Sequence, residues 1–71
     1  MDRQRVISRH LAAIGYDEAS AVLEVEFVQS GVYQYFAVPS EVYVGLMAAG
    51  SHGEYFDIHV KKAGYAYAKI G

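Results

Sequence analysis

The chain has 71 residues, no cysteine, one proline, seven tyrosines, a formal net charge of −2, and 54% hydrophobic against 20% charged residues. This length holds a single domain, residues 1–71, and without cysteine neither disulfides nor thiolate zinc sites can form, so oligomerisation is the device left to stabilise so small a fold unless its core alone suffices. The hydrophobic content argues against disorder, no apolar run nears the ~20 residues of a membrane span, and no basic-then-apolar leader opens the chain, so a soluble cytoplasmic domain with no membrane partner is expected.

In chain order, His10 to Tyr16 reads as a first strand, closed by the turn formers Asp17-Glu18-Ala19-Ser20. Val22 to Val28 is the clearest period-two alternation, with Leu23, Val25 and Phe27 on one face and Glu24 and Glu26 on the other. Gln29-Ser30-Gly31 has the form of a three-residue hairpin loop with glycine at its left-handed position. That loop sets Val28 opposite Val32, Phe27 opposite Tyr33 and Val25 opposite Tyr35, turning both tyrosines into the core. Gln34 and Phe36 then join the glutamates outside, and a one-residue change in the loop would reverse the arrangement.

Pro39 and Ser40 begin a helix, proline suiting the first turn and serine able to cap. Val42, Tyr43, Leu46, Met47 and Ala49 form an apolar stripe at helical spacing, and Gly50 stands where a left-handed cap ends a helix. Val44 and Ala48 lie on the opposite side, so the helix is apolar nearly all round, with Glu41 its only charge. Phe36, Val44 and Ala48 are therefore candidate interface residues, and the simplest partner is another copy of the chain. Ser51 can cap a second helix through about Val60, with Glu54 completing a capping box. The alternation of Tyr65 to Lys69 suits a short edge strand. The expected class is α+β: a three-stranded antiparallel meander packed by two short helices, with this C-terminal segment as a candidate fourth, edge strand.

Charge layout says more than its sum. Arg3, Arg5 and Arg9 stand near the start and Lys61, Lys62 and Lys69 near the end, while Asp17, Glu18, Glu24, Glu26, Glu41, Glu54 and Asp57 lie between. If the ends meet, they make one basic patch on an acidic body. Six basic residues are few for gripping a duplex but suffice for a single strand or a small phosphorylated ligand. Ser8 and His10 lack an orienting carboxylate or a nucleophile elbow, so no catalytic residue is assigned and a non-enzyme is expected. His52 with Asp57-Ile58-His59 makes a poor metal set, because residues two apart diverge on a helix; no metal or cofactor is assigned. Gly50-Ser51-His52-Gly53 leads into a helix start whose amides can meet an anion, with helix capping as the competing account. Tyr16, Tyr33, Tyr35 and Tyr43 are assigned to core or interface. Tyr55, Tyr65 and Tyr67 lie near the basic C-terminal residues, where aromatic rings can stack on bases, and Phe36 is a further candidate.

Ser8, Leu11, Ile14-Gly15-Tyr16, Leu23-Glu24-Val25-Glu26-Phe27, Gly31, Tyr33-Gln34-Tyr35-Phe36, Val38-Pro39, Tyr43, Leu46, Ala49, Ser51, Gly53, Tyr55-Phe56 and Lys61 together resemble the KTSC family. That short domain is named for the C-terminal extension of some lysyl-tRNA synthetases and occurs also as a stand-alone bacterial and phage protein. The chain departs from the family pattern at Asp57, where asparagine is usual, and at Arg9, where a second serine is common. The resemblance implies a binding module and an association with RNA. The leading expectation is single-stranded RNA binding, with Arg9, Lys61 and Lys62 on phosphates and Tyr55 and Tyr65 stacking. The alternative is a homo-oligomer holding a small nucleotide, such as a cyclic di- or trinucleotide, on Ser51, His52 and Gly53 with Arg9 or Lys61. A protein-interaction adaptor using Phe36, Val44 and Ala48 is the third.

Overall fold

Leu23 and Val25 alternate with Glu24 and Glu26, and the pleat sends the two sets to opposite faces of a sheet; Leu23 and Val25 are fully buried. In the computed structural model, which describes residues 1–71, that sheet has five antiparallel strands lying side by side in chain order. They are β1 (Gln4–Arg5), β2 (Leu11–Asp17), β3 (Val22–Phe27), β4 (Gly31–Tyr35) and β5 (Tyr67–Lys69). Between β4 and β5 run α1 (Ser40–Ala48) and α2 (His52–Phe56), the latter continued by a π-helical turn, Asp57–Lys61. The core joins the two layers: Leu11, Ile14, Leu23, Val25 and Tyr35 from the sheet meet Val38, Leu46, Phe56 and Val60 from the helical side.

The three-strand expectation thus understates the sheet. The C-terminal segment does pair, Tyr67 opposite Tyr35 and Lys69 opposite Tyr33. β1 carries no hydrophobic alternation by which to be found. It is held by backbone pairing to β2, Gln4 opposite Ile14 and Arg5 opposite Ala13, and the bare Cα of Gly15 admits it closely. A Cβ on Gly15 would come within 2.6 Å of the Asp2 carbonyl oxygen.

The hairpin register also differs from the expected one, by two residues. Phe27 stands opposite Gly31, Val25 opposite Tyr33 and Leu23 opposite Tyr35, so the loop is Val28-Gln29-Ser30 and Gly31, at φ 95°, opens β4. The Gly31 backbone approaches Gly71, leaving no room for a Cβ. Because side chains alternate with period two, an even slip changes every partner and no face. Tyr35 is accordingly buried and Tyr33 half-buried on the inner face.

Both expected helix signals at the ends of α1 are corrected. Pro39, extended at φ −62° and ψ 149°, occupies the cap position and its carbonyl accepts from Val42 N at 3.0 Å; Ser40 is already helical and its hydroxyl caps nothing. At the other end Ala49 is extended (φ −67°, ψ 143°) and Gly50 is not left-handed. The chain leaves α1 directly into the extended Ser51 (φ −126°, ψ 105°), so a reversing cap has no use there. Ser51 does cap α2, its Oγ accepting from Glu54 N at 3.2 Å, which is the forward half of the capping box.

The outer sheet face carries a buried carboxylate. Glu24 accepts from Arg3 at 2.5 Å and from Gln34 Nε2 at 2.8 Å, and Arg3 also pairs with Glu26 at 3.4 Å. Burial pushes the Glu24 carboxyl up, but the bonds from Gln34 and Arg3, with Arg3's charge, outweigh it and hold the pKa below its ordinary value. Arg3 is therefore paired away from the helical side, and Arg5 on β1 and Lys69 on β5 stand at opposite edges of the sheet, so the two ends do not meet there. No helix is long and apolar enough to cross a membrane.

Candidate binding groove

Pairing β5 beside β4 brings two alternating tyrosine pairs to the inner face, Tyr33 and Tyr35 on β4 with Tyr65 and Tyr67 leading into β5. With Phe27 of β3 and Phe56 of α2 they wall an open cavity of about 660 Å³, closed by Ser30, Gly64 and Lys61. The rings are packed edge to face: Phe27 lies 5.5 Å from Tyr33 and 5.3 Å from Phe56, and Tyr35 lies 5.4 Å from Phe56, between centroids. Tyr67 inclines at 32° to Tyr35, 5.5 Å away, and is 64% exposed, so its face is open to a planar ligand. Burial, then the neighbouring Tyr33 and Tyr67, raises the Tyr35 hydroxyl to about 12. At neutral pH it is a hydrogen-bond donor and not an anion.

Lys61 reaches this cavity because of the π-helical turn. In an α-helix, residues five apart diverge by about 140°; the wider turn closes with an i→i+5 bond, Lys62 N to Asp57 O at 3.0 Å, and brings such residues toward one side. Phe56 and Lys61, five apart, both line the cavity. They also line a smaller recess of about 320 Å³ with His10, Leu11, Phe27, Gly53 and Asp57. His10 and Gly53 lead on into a polar pocket of about 320 Å³ with Ser8, Arg9, Ser51, His52 and Glu54. The shared residues make one groove, aromatic at the β5 end and polar at the loop joining β1 to β2.

Of the residues singled out from sequence, Arg9, Ser51, His52 and Gly53 come together in the polar pocket, and Lys61 and Tyr65 in the aromatic cavity. His52 Nδ1 donates to the Leu46 carbonyl at 2.8 Å, which orients the ring and leaves Nε2 available. Lys62 lies outside, paired with Asp57 at 3.2 Å. Tyr55 lies outside too: its ring packs over Gly45 of α1 and lies 4.3 Å from that of His59. Phe36, Val44 and Ala48 are exposed away from the groove, Val44 at 61%. Phe27, Tyr33, Tyr35, Phe56, Glu54 and Asp57 are groove residues that the sequence reading assigned elsewhere. The available signal was the repeat of tyrosine at i and i+2 in two segments, which becomes a wall once those segments pair. The structure holds no group of three or more side chains able to ligate a metal.

Residues 7–65 match the model of the KTSC domain. An uncharacterized protein of Stutzerimonas stutzeri (strain A1501) is 40% identical over 70 residues, 99% of each chain. A protein of Tsukamurella paurometabola is 40% identical over 58 residues, 82% of this chain and 87% of its own. The crystal structure of the KTSC domain protein YPO2434 from Yersinia pestis superposes with a TM-score of 0.92 at 40% identity, covering 99% of this chain and 97% of that one. The chain belongs to the KTSC domain family, and its fold is the small α+β fold of that crystal structure.

Proposed function

We propose that the protein is a non-enzymatic binding module that takes a short single-stranded segment of nucleic acid, RNA in the first instance, along this groove. The observation that carries the reading is a recess that shares Lys61, Phe27 and Phe56 with the aromatic cavity and His10 and Gly53 with the polar pocket, so that the two lie in one run. A base stacked against the exposed face of Tyr67 or against Tyr65 gains about 1–3 kcal/mol. Its phosphates run past Lys61 toward Arg9, His10 and His52. A duplex, whose bases are stacked on one another, offers no free face to such a cavity.

The test is titration of a labelled hexa-adenylate RNA followed by fluorescence anisotropy. Lys61→Ala weakens binding about tenfold, as expected for a lost charge-assisted bond, and Tyr65→Ala weakens it by a similar factor. With only Lys61 and Arg9 as fixed cations in the groove, the logarithm of affinity falls against that of salt with a slope of about −1.4. Absence of binding at low salt, or a slope several times steeper, rejects the reading.

A second reading, a homo-oligomer holding a small nucleotide, is favoured by the apolar surface that α1 leaves uncovered, where Val44 is 61% exposed. It needs no more positive charge than the groove has. Shortening the oligonucleotide separates the two: affinity that is unchanged down to one or two nucleotides belongs to the small-ligand reading.

A further inference from the structure

The groove that would follow a phosphate backbone also contains two carboxylates. Asp57 lines the recess with Lys61, and Glu54 lines the polar pocket with Arg9, His10 and His52. In a site for phosphates alone, each acid weakens binding by like-charge repulsion. An ionised carboxylate can only accept hydrogen bonds, so its presence makes sense where the ligand offers a donor between its phosphates. Both have acceptor capacity to spare. The Glu54 carboxylate makes no hydrogen bond or ion pair; that residue bonds through its backbone alone, its amide to Ser51 Oγ and its carbonyl to Asp57 N. Asp57 gives Oδ2 to Lys62 at 3.2 Å and leaves Oδ1 free. The two stand three residues apart on helical backbone, the spacing that brings side chains to one face, about 5–6 Å between Cβ atoms.

Along a single strand, the group that recurs between phosphates and can donate is the ribose 2′-hydroxyl, which DNA lacks. From the pairing of a carboxylate with a cation in each compartment, Asp57 with Lys61 in the recess and Glu54 with Arg9 in the polar pocket, we infer that Glu54 and Asp57 are specificity-determining residues that accept hydrogen bonds from ribose 2′-hydroxyls and select RNA over DNA. The inference rests on the binding reading above and adds to it a basis for sugar selectivity. In DNA the same carboxylates face only carbon and phosphate, so they cost affinity without return.

The experiment compares three hexa-adenylates of identical length: RNA, DNA and 2′-O-methyl RNA. The third keeps the ribose pucker and the 2′-oxygen but cannot donate. The wild-type protein is expected to bind RNA at least about tenfold more tightly than either of the others, the size of one lost charge-assisted hydrogen bond. The Glu54→Ala/Asp57→Ala protein is expected to bind all three within about twofold, with RNA weakened and DNA strengthened. Both side chains are at the surface, and an unchanged thermal midpoint verifies that the variant is folded. Equal binding of the three by wild type, or selectivity that survives the double substitution, overturns the inference while leaving the binding reading intact. Failure of all three to bind overturns both.

Discussion

At the scale of single residues, Tyr35 does two jobs with one side chain: its ring belongs to the core and its edge to the cavity. Burial first, then Tyr33 and Tyr67, raises its pKa to about 12, against about 10 for a free tyrosine. Burial, with Glu18, Asp17 and Glu41, also raises that of Tyr16, whose hydroxyl donates to the Val38 carbonyl at 2.6 Å. A folded-state pKa above the unfolded one means a contribution to stability that is complete below about pH 10 and is lost as the pH climbs toward 12. Tyrosinate absorbance is expected to show a last titration step near pH 12 that coincides with loss of far-ultraviolet ellipticity. Tyr35→Phe removes that step, and if the step survives the substitution the assignment is wrong. The sequence placed Tyr35 in the core correctly; the cavity role escaped it because a core face and a cavity wall have the same alternation.

At the scale of elements, what periodicity could reveal was legible: β3 by its alternation, α2 by Ser51, and the faces of β4 despite a register off by two. β1 was not legible, since Gln4 and Arg5 have no apolar partner positions to betray a strand. The π-helical turn was hidden because Phe56 and Val60 satisfy α-helical spacing equally well, and only Lys61 shows the difference. Gly45 in α1 illustrates a conflict between levels. Alanine there would favour the helix by about 1 kcal/mol, but its Cβ would overlap the Tyr55 hydroxyl and ring, which are held against His59. Overpacking costs about 1–3 kcal/mol, so it prevails. Gly45→Ala is expected to lower the unfolding free energy in urea by up to about 2 kcal/mol; a gain in stability would mean that Tyr55 moves freely.

At the scale of the whole molecule, no cysteine is available to staple a sheet and helical layer whose core cluster numbers nine residues, and α1 keeps an apolar outer face. If that face is covered by a second copy, light scattering should give a mass above 7.8 kDa, and Val44→Glu should return it to that of one chain with little loss of fold. A wild-type mass of one chain rejects self-association. The sequence named the cations but could not tell which were already committed, because Arg3 meets Glu24 only across 21 residues of chain. The order of the strands has one more consequence. Four of the five pair with a chain neighbour through a short connection, whereas β5 must close over both helices, Tyr35 meeting Tyr67. Such a closure is the slow, entropically costly one, and a three-residue edge strand opens more readily than the longer strands inside the sheet. The aromatic cavity is split between the early hairpin and this late strand. Backbone amides of Tyr67 to Lys69 should therefore exchange with deuterium faster than those of β2, β3 and β4, and slow when a ligand bridges Phe27 and Tyr67. Occupancy of the groove would then be readable as the lifetime of the last strand.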